Sequence, residues 1–297
     1  MNSLQFEKRQ LKYLASLIKS SPKEILYICD NIETYYSKRV EIKLNKVTGQ
    51  VKAYSDGTPK TRTIRPSYRR LKELQRNIKK EILERVPLTP HIFGGVKGKN
   101  NILNAVKHRG HKFVLTTDLQ DFYPTISHKD IYNLFLRLGF SNHIAHWLTK
   151  LTSIEFELPQ GTRTSTHIAN LIFSNIDSDL IKFCDQNDIT YTRFVDDLTF
   201  SSQNDFQSLI PTLLSIILKS KFKISWRKTI YRGNQNITGV DVFANYVDAP
   251  LKIKQKLKRD SKGKVIEDPV SRYVENIRKK NPKALTKEKQ RITKVLV

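Results

Sequence analysis

Cysteine is nearly missing from this chain of 297 residues: Cys29 and Cys184 are the two present. They build neither a disulfide framework nor a zinc spacing, so a reducing cytoplasm is the expected setting. Long apolar runs are also lacking. Nothing approaches the ~18 residues that a membrane-spanning helix needs, and the opening stretch, MNSLQFEKRQ, is not a signal peptide. No membrane partner is expected. Internal repeats and low-complexity tracts are absent, which excludes solenoids and fibrous arrays. Acidic residues are scarce beside basic ones, 28 against 53, and the resulting net charge of +25 predicts a polyanionic partner. Nucleic acid fits that role better than an anionic membrane surface.

What is present can build a core. Hydrophobic residues make up 38 %, with 14 Phe and 12 Tyr, so disorder is not the expected state. The length suits two or three subdomains around a shared cleft. Residues 2–38 read as helical, with Leu4, Leu11, Leu14 and Leu17 at helical spacing. Residues 40–66 read as short strands with turns at Gly49 and Asp56-Gly57. Residues 67–86 return to helix: Leu71, Leu74, Ile78 and Ile82 form the inner stripe, and Arg69, Arg70, Lys72, Arg76, Lys79 and Lys80 the wet face. A strand over 113–117 ends at Asp118, a strong helix covers 165–184, a hairpin covers 190–202 and another helix 205–220. The last 46 residues, from Lys252, hold 16 Lys and Arg against 5 acidic residues. Helices and strands alternate irregularly, which points to α+β rather than a doubly wound parallel sheet.

The hairpin reads TRFVDDLTFSS over Thr192–Ser202. It places two adjacent carboxylates, Asp196 and Asp197, at its tip. Adjacent ionised carboxylates repel unless a cation is near. A divalent ion turns that cost into a binding site, and Mg2+ takes oxygen ligands. Upstream, TTDLQDFYPTI carries Asp118, with Tyr123 five residues on. Two such ions can clamp the attacking and leaving oxygens of a phosphoryl transfer. In LPQGTRTSTHIANLIF, Gln160 and Gly161 open the strong helix, where a glycine permits close backbone approach and a helix start suits a phosphate. In KISWRKTIYR, Lys228 follows a short strand.

In this order, the four blocks resemble the palm motifs of reverse transcriptases. The resemblance covers about residues 60–240. It implies a right-hand polymerase fold: an amino-terminal helical region over 1–39, fingers over 40–112, a palm of antiparallel sheet and helices over 113–240, and a basic helical thumb over 241–297. It matches Asp118 to the family's first carboxylate and Phe194-Val195-Asp196-Asp197 to its Y-x-D-D block. The usual Tyr hydroxyl is replaced by Phe194, which alters packing near the primer end and leaves the ligands intact. The implied metal set is Asp118, the Leu119 backbone carbonyl, Asp196 and Asp197, holding two Mg2+ ions, with Mn2+ as a substitute. Tyr123 becomes the ring under the sugar of the incoming dNTP, and Gln160 and Gly161 line nucleotide and template. Lys228 lies near the pyrophosphate as charge stabiliser or general acid. Arg62 grips the triphosphate, with Arg65 its competitor.

Two shorter stretches resemble retron reverse transcriptases in particular. NAVKH, Asn104–His108, fits an N-A-x-x-H signature, and ITG, Ile237–Gly239, fits a V-T-G signature. Asn104 and His108 read as structural on chemistry alone, and the signature makes them candidate nucleic-acid contacts. Arg278, Lys279 and Lys280 are the candidate contacts of the basic tail. The implied activity is copying part of a cognate structured non-coding RNA into single-stranded DNA, primed from a guanosine 2′-OH and giving a branched RNA–DNA product. The implied partners are that RNA, its DNA copy, dNTPs and an effector protein of an antiphage system. A chain of this length leaves no room for an RNase H-like domain, so template removal is expected to need a host nuclease. Another defence-associated or group II intron-like reverse transcriptase, and a catalytically silent palm-fold RNA-binding protein, are the alternatives. The short signatures weigh against the first, and the complete carboxylate set with Lys228 against the second.

Overall fold

The computed structural model describes residues 3–44, 50–53 and 56–282; the turn expected at Gly49 and the tail beyond 282 lie outside the described residues. In chain order the elements are α1 (Ser3–Leu17), α2 (Pro22–Asp30), β1 (Arg39–Ile42), β2 (Thr61–Ile64), α3 (Arg69–Glu81), α4 (Asn101–Val106), β3 (Phe113–Gln120), α5 (His128–Arg137), α6 (Asn142–Thr152), α7 (Ser165–Gln186), β4 (Thr190–Phe194), β5 (Asp197–Ser202), α8 (Ile210–Leu218), β6 (Lys223–Ile224), β7 (Ile230–Arg232), β8 (Gln235–Ile237), β9 (Val240–Val242), β10 (Val247–Asp248), α9 (Leu251–Lys254) and α10 (Pro269–Arg278). The fold is α+β, as the pattern predicts.

The chain divides into two compact units: Met1–Thr89 with Asp121–Asn175, and Pro90–Gln120 with Ile176–Val297. These units cut across the boundary expected at 112/113. Pro90–Gln120 falls with the strands of the second unit, and Asp121–Asn175 with the amino-terminal residues of the first.

In the first unit, the helix expected over 2–38 is broken. Ser21 caps α2 by accepting a hydrogen bond from the Glu24 N–H, and Pro22 starts the helix, so the chain cannot run straight through. On α3 the stripe Leu71, Leu74 and Ile78 is fully buried, and so is Gln75. Its amide is satisfied by the Ser67 hydroxyl at 2.5 Å, the Tyr36 hydroxyl at 2.9 Å and the Leu151 carbonyl at 2.9 Å. β1 and β2 form an antiparallel pair that sets Glu41 opposite Arg62.

In the second unit the main sheet runs β4-β5-β3-β6, with β7 also paired to β3. β3 does not stop at Asp118. It continues through Leu119 and Gln120, which pair with Ile224 and Lys223 of β6. A smaller sheet, β10-β9-β8, packs with α4 and α10 through Ile102, Ala105, Val240, Val247, Val274 and Ile277. Val274 and Ile277 thus tie the helix of the basic carboxy-terminal segment to the core, while its charged side chains stay outside.

Candidate active site

The sheet explains how the three carboxylates meet. β3 and β5 are antiparallel neighbours, and their register sets Asp118 directly opposite Asp197. Asp196 lies in the turn between β4 and β5, and its carbonyl accepts the Leu119 N–H at 2.9 Å, so turn and strand are locked together. Like charges opposed across a ladder destabilise a sheet unless a cation answers them. Burial, then the charges of Asp196 and Asp118, push the Asp197 carboxyl up to about 7, against the opposing pull of Lys228. The Lys228 ammonium sits 2.6 Å from Asp118 Oδ2. The Asp118 carbonyl also accepts the Ser225 N–H at 2.8 Å, just before the turn Trp226–Lys228 that carries this lysine. The structure therefore brings Asp118, Asp197 and Lys228 together, with Asp196 in the adjoining turn.

Among the described residues, no three His, Cys, Asp or Glu side chains already converge as a metal cluster. The donor chemistry nonetheless fits a hard divalent cation: the available groups are carboxylate oxygens, and one of them is already answered by a cationic side chain. Leu119 is buried, and its apolar side chain offers no donor atom to a ligand.

Asn104 and His108 need correcting as nucleic-acid contacts. Both are fully buried, so neither side chain reaches a nucleic acid. His108 instead bonds the Ser201 hydroxyl of β5 through Nδ1 and the Thr192 hydroxyl of β4 through Nε2, each at 2.7 Å. Burial, with the neighbouring His111 adding to it, pulls its imidazole down to about 3. Asn104 donates to the Thr238 hydroxyl at 3.4 Å, and that hydroxyl donates to the Asn101 carbonyl at 3.2 Å. The two short signatures are thus one structural unit. α4 holds the ITG turn, and His108, just past its end, holds strands β4 and β5 of the carboxylate hairpin.

Gly94 carries a role that sequence reading missed. A Cβ there would lie 2.4 Å from the Val195 nitrogen, against the backbone of the carboxylate turn. The GG pair in HIFGGVKG was the available signal.

Tyr123, Gln160, Gly161, Arg62 and Arg65 lie in the first unit. The Tyr123 hydroxyl meets the Thr166 hydroxyl at 3.0 Å, at the start of α7, and its ring stands edge-on to Phe122. Phe122 packs in turn against Phe173 of the same helix, so the half-buried Tyr123 ring is held on a rigid support. Gly161 has φ +109, and a Cβ there would lie 2.8 Å from the Ile64 side chain. The Gln160 carbonyl accepts the Arg65 N–H at 2.8 Å. The Gln160-Gly161 backbone is thereby pinned to the end of β2. Arg65, the competitor for the triphosphate, is buried and paired to Glu155 and Glu157. Arg62 is half exposed and held by Glu41 at 2.7 Å, a partner it can exchange. In the carboxy-terminal segment, Arg278 and Lys279 are exposed but face acids, Asp248 at 3.5 Å and Glu275 at 2.9 Å. Lys280 is exposed as well.

The family model described as reverse transcriptase (RNA-dependent DNA polymerase) matches residues 54–241, well over half of the chain. The chain belongs to this family. Within it, similarity runs to retron enzymes. The chain is 35% identical over 160 residues to the retron Se72 reverse transcriptase of Salmonella heidelberg, covering 54% of this chain and 42% of that protein. It is 33% identical over 185 residues to the retron Ec86 reverse transcriptase of Escherichia coli, covering 60% and 58%. With the retron Mx65 reverse transcriptase of Myxococcus xanthus it shares 29% over 197 residues, covering 59% and 46%. The matched region thus spans about half the length of these curated relatives. A solved telomerase from Candida albicans, in complex with a fragment of telomeric RNA, aligns with 61% of this chain and 34% of its own at 12% identity and a TM-score of 0.39, which adds nothing to the family assignment. No helix among the described residues is long and apolar enough to cross a membrane.

Proposed function

We propose that this protein is the RNA-directed DNA polymerase of a retron, copying part of a cognate structured RNA into single-stranded DNA. The observation that carries the reading is the opposition of Asp118 and Asp197 across the β3–β5 ladder, with Asp196 in the adjoining turn and Lys228 on Asp118. Asp118, Asp196, Asp197 and the Leu119 carbonyl would hold two divalent ions, Mg2+ or its substitute Mn2+, which supply positive charge to the attacking and leaving oxygens of phosphoryl transfer. Lys228 then leaves Asp118 for the pyrophosphate, as a point charge or as the acid that gives its Nζ proton to the leaving oxygen. Tyr123 offers its ring to the sugar and excludes a 2′-OH. Gln160 and Gly161 present backbone to nucleotide and template. Arg62 exchanges Glu41 for the triphosphate, which takes a guanidinium bidentately.

Likeness to retron enzymes supports the finer reading: priming from a guanosine 2′-OH, a branched RNA–DNA product, and an effector protein in an antiphage system. Replacing Asp196 and Asp197 together with Asn tests the core of the proposal. Primer extension on an RNA template should vanish while RNA affinity changes less than about threefold. Extension by the double variant would refute the metal assignment. Accumulation of a small branched DNA in cells expressing the locus tests the retron reading separately.

A further inference from the structure

We propose that Asp177 and Arg193 are positioning residues that hold the carboxylate-bearing turn in its left-handed backbone conformation and so set its affinity for divalent cations. The proposal rests on the polymerase reading above. The turn begins with Val195 at φ +63. A β-branched residue resists that region, so it persists only where surrounding contacts over-determine it.

Those contacts come from Arg193. Its side chain is fully buried, as is that of Asp177 on α7. Nε and Nη2 donate to the two Asp177 oxygens at 2.8 and 2.6 Å, and Nη1 donates to the Val195 carbonyl at 2.9 Å. The Tyr191 hydroxyl donates to Asp177 Oδ1 at 2.7 Å and fixes the carboxylate. The Arg193 backbone is fixed as well: its N–H donates to the His91 carbonyl at 2.9 Å and its carbonyl accepts the Phe93 N–H at 2.8 Å.

A buried ion pair is poor evidence for stability, because desolvation of both charges offsets their attraction. What it supplies here is direction. The guanidinium is a rigid fork: its Nε–Nη2 edge engages Asp177 bidentately, and Nη1 is thereby aimed at the Val195 carbonyl. A lysine would supply the charge without the fork. Neither Asp177 nor Arg193 is placed among the proposed ligands. They act through the peptide that connects Phe194 to the two carboxylates.

The test compares the Asp177→Asn/Arg193→Gln double variant with Arg193→Lys and the parent protein. The double variant removes both buried charges together, Asn being isosteric with Asp and Gln a shorter polar replacement for Arg, so it should melt within a few degrees of the parent. Mn2+ binding to the free protein, followed by electron paramagnetic resonance without nucleic acid or dNTP, should weaken about tenfold. The Mg2+ concentration for half-maximal primer extension should rise by a similar factor. Arg193→Lys, which keeps the charge, should show the same two changes, and it carries the test if the double variant does not fold. A folded variant with parental Mn2+ affinity and Mg2+ requirement would overturn the proposal and reduce the pair to core packing. A parent protein that binds Mn2+ but extends no primer would remove the polymerase reading and leave the Mn2+ comparison to judge the positioning.

Discussion

His108 carries a consequence of its burial into solution behaviour. The folded protein keeps it neutral, with its imidazole pulled from the ordinary 6.5 down to about 3. The unfolded chain takes up that proton near the ordinary value, so it binds more protons than the folded state throughout the window between. Stability from this group is complete above about pH 6.5 and falls as the pH drops toward the folded value. Between pH 7 and pH 5 the loss is about 2 kcal/mol from this residue alone. Urea unfolding at both pH values should show it, and His108→Gln should lose that much less on acidification. An equal acid response in both proteins would assign the effect to other buried histidines, such as His167, whose imidazole burial also pulls down. Gly94 gives a second prediction at this scale. A methyl group 2.4 Å from the Val195 nitrogen forces backbone to move, since no flexible side chain can yield there. Gly94→Ala should cost about 1–3 kcal/mol of stability, the usual range for overpacking, and lower primer extension more than RNA binding. Full activity with an unchanged melting temperature would show that the 91–94 segment simply shifts aside.

The hairpin of β4 and β5 was readable because both flanks are β-rich and the two acids interrupt them at the tip, where only a turn makes sense. The length of β3 was not readable. Leu119 and Gln120 are held in the sheet by β6, whose residues lie about a hundred positions later, and local pattern carries no trace of that pairing. For the same reason Asn104 and His108 carried a recognisable signature but no visible role: their partners, Thr238, Ser201 and Thr192, come from elements far along the chain. The break near residue 20 is legible in Ser21-Pro22, although the apolar spacing continues across it. Helix α7 was read nearly at its full length, and its first turn gives the prediction at this scale. Thr166 holds the Tyr123 hydroxyl at 3.0 Å, and Phe122 packs on Phe173 behind it. A ring fixed in this way can exclude a 2′-OH, whereas a mobile one would yield. Tyr123→Ala should therefore raise rNTP relative to dNTP incorporation by at least about tenfold, a cost of one RT ln 10 step or ~1.4 kcal/mol in discrimination. Tyr123→Phe, which keeps the ring and loses the bond to Thr166, should change the ratio much less. An unchanged ratio in Tyr123→Ala would assign the ring to packing.

The charge of +25 belongs to the whole molecule, but its free cations are unevenly placed. On α3, Arg70 is tied to Glu24 and Glu73, and Lys79 to Glu84. Lys72, Arg76 and Lys80 are exposed, lie four residues apart along one side of the helix, and have no acidic partner among the described residues. The carboxy-terminal trio differs. Arg278 and Lys279 face Asp248 and Glu275, which leaves Lys280 as its one cation without an acidic partner among the described residues. Surface pairs of this kind are worth only about 0–1 kcal/mol and do not prevent a phosphate from competing. A cation that must first leave an acid nevertheless gives a smaller net ion release, because the vacated carboxylate gathers a counterion of its own. Each phosphate neutralised lowers the slope of log affinity against log salt by about 0.7–0.9. Neutralising Lys72, Arg76 and Lys80 to Gln should therefore flatten that slope by about two to three units, and neutralising Arg278, Lys279 and Lys280 by about one. Binding of a structured RNA measured from low to high salt decides between them. If the tail triple flattens the slope more than the α3 triple does, the carboxy-terminal segment is the principal phosphate contact and its intramolecular pairs open freely. If neither changes the slope, the RNA is held by cations elsewhere on the protein.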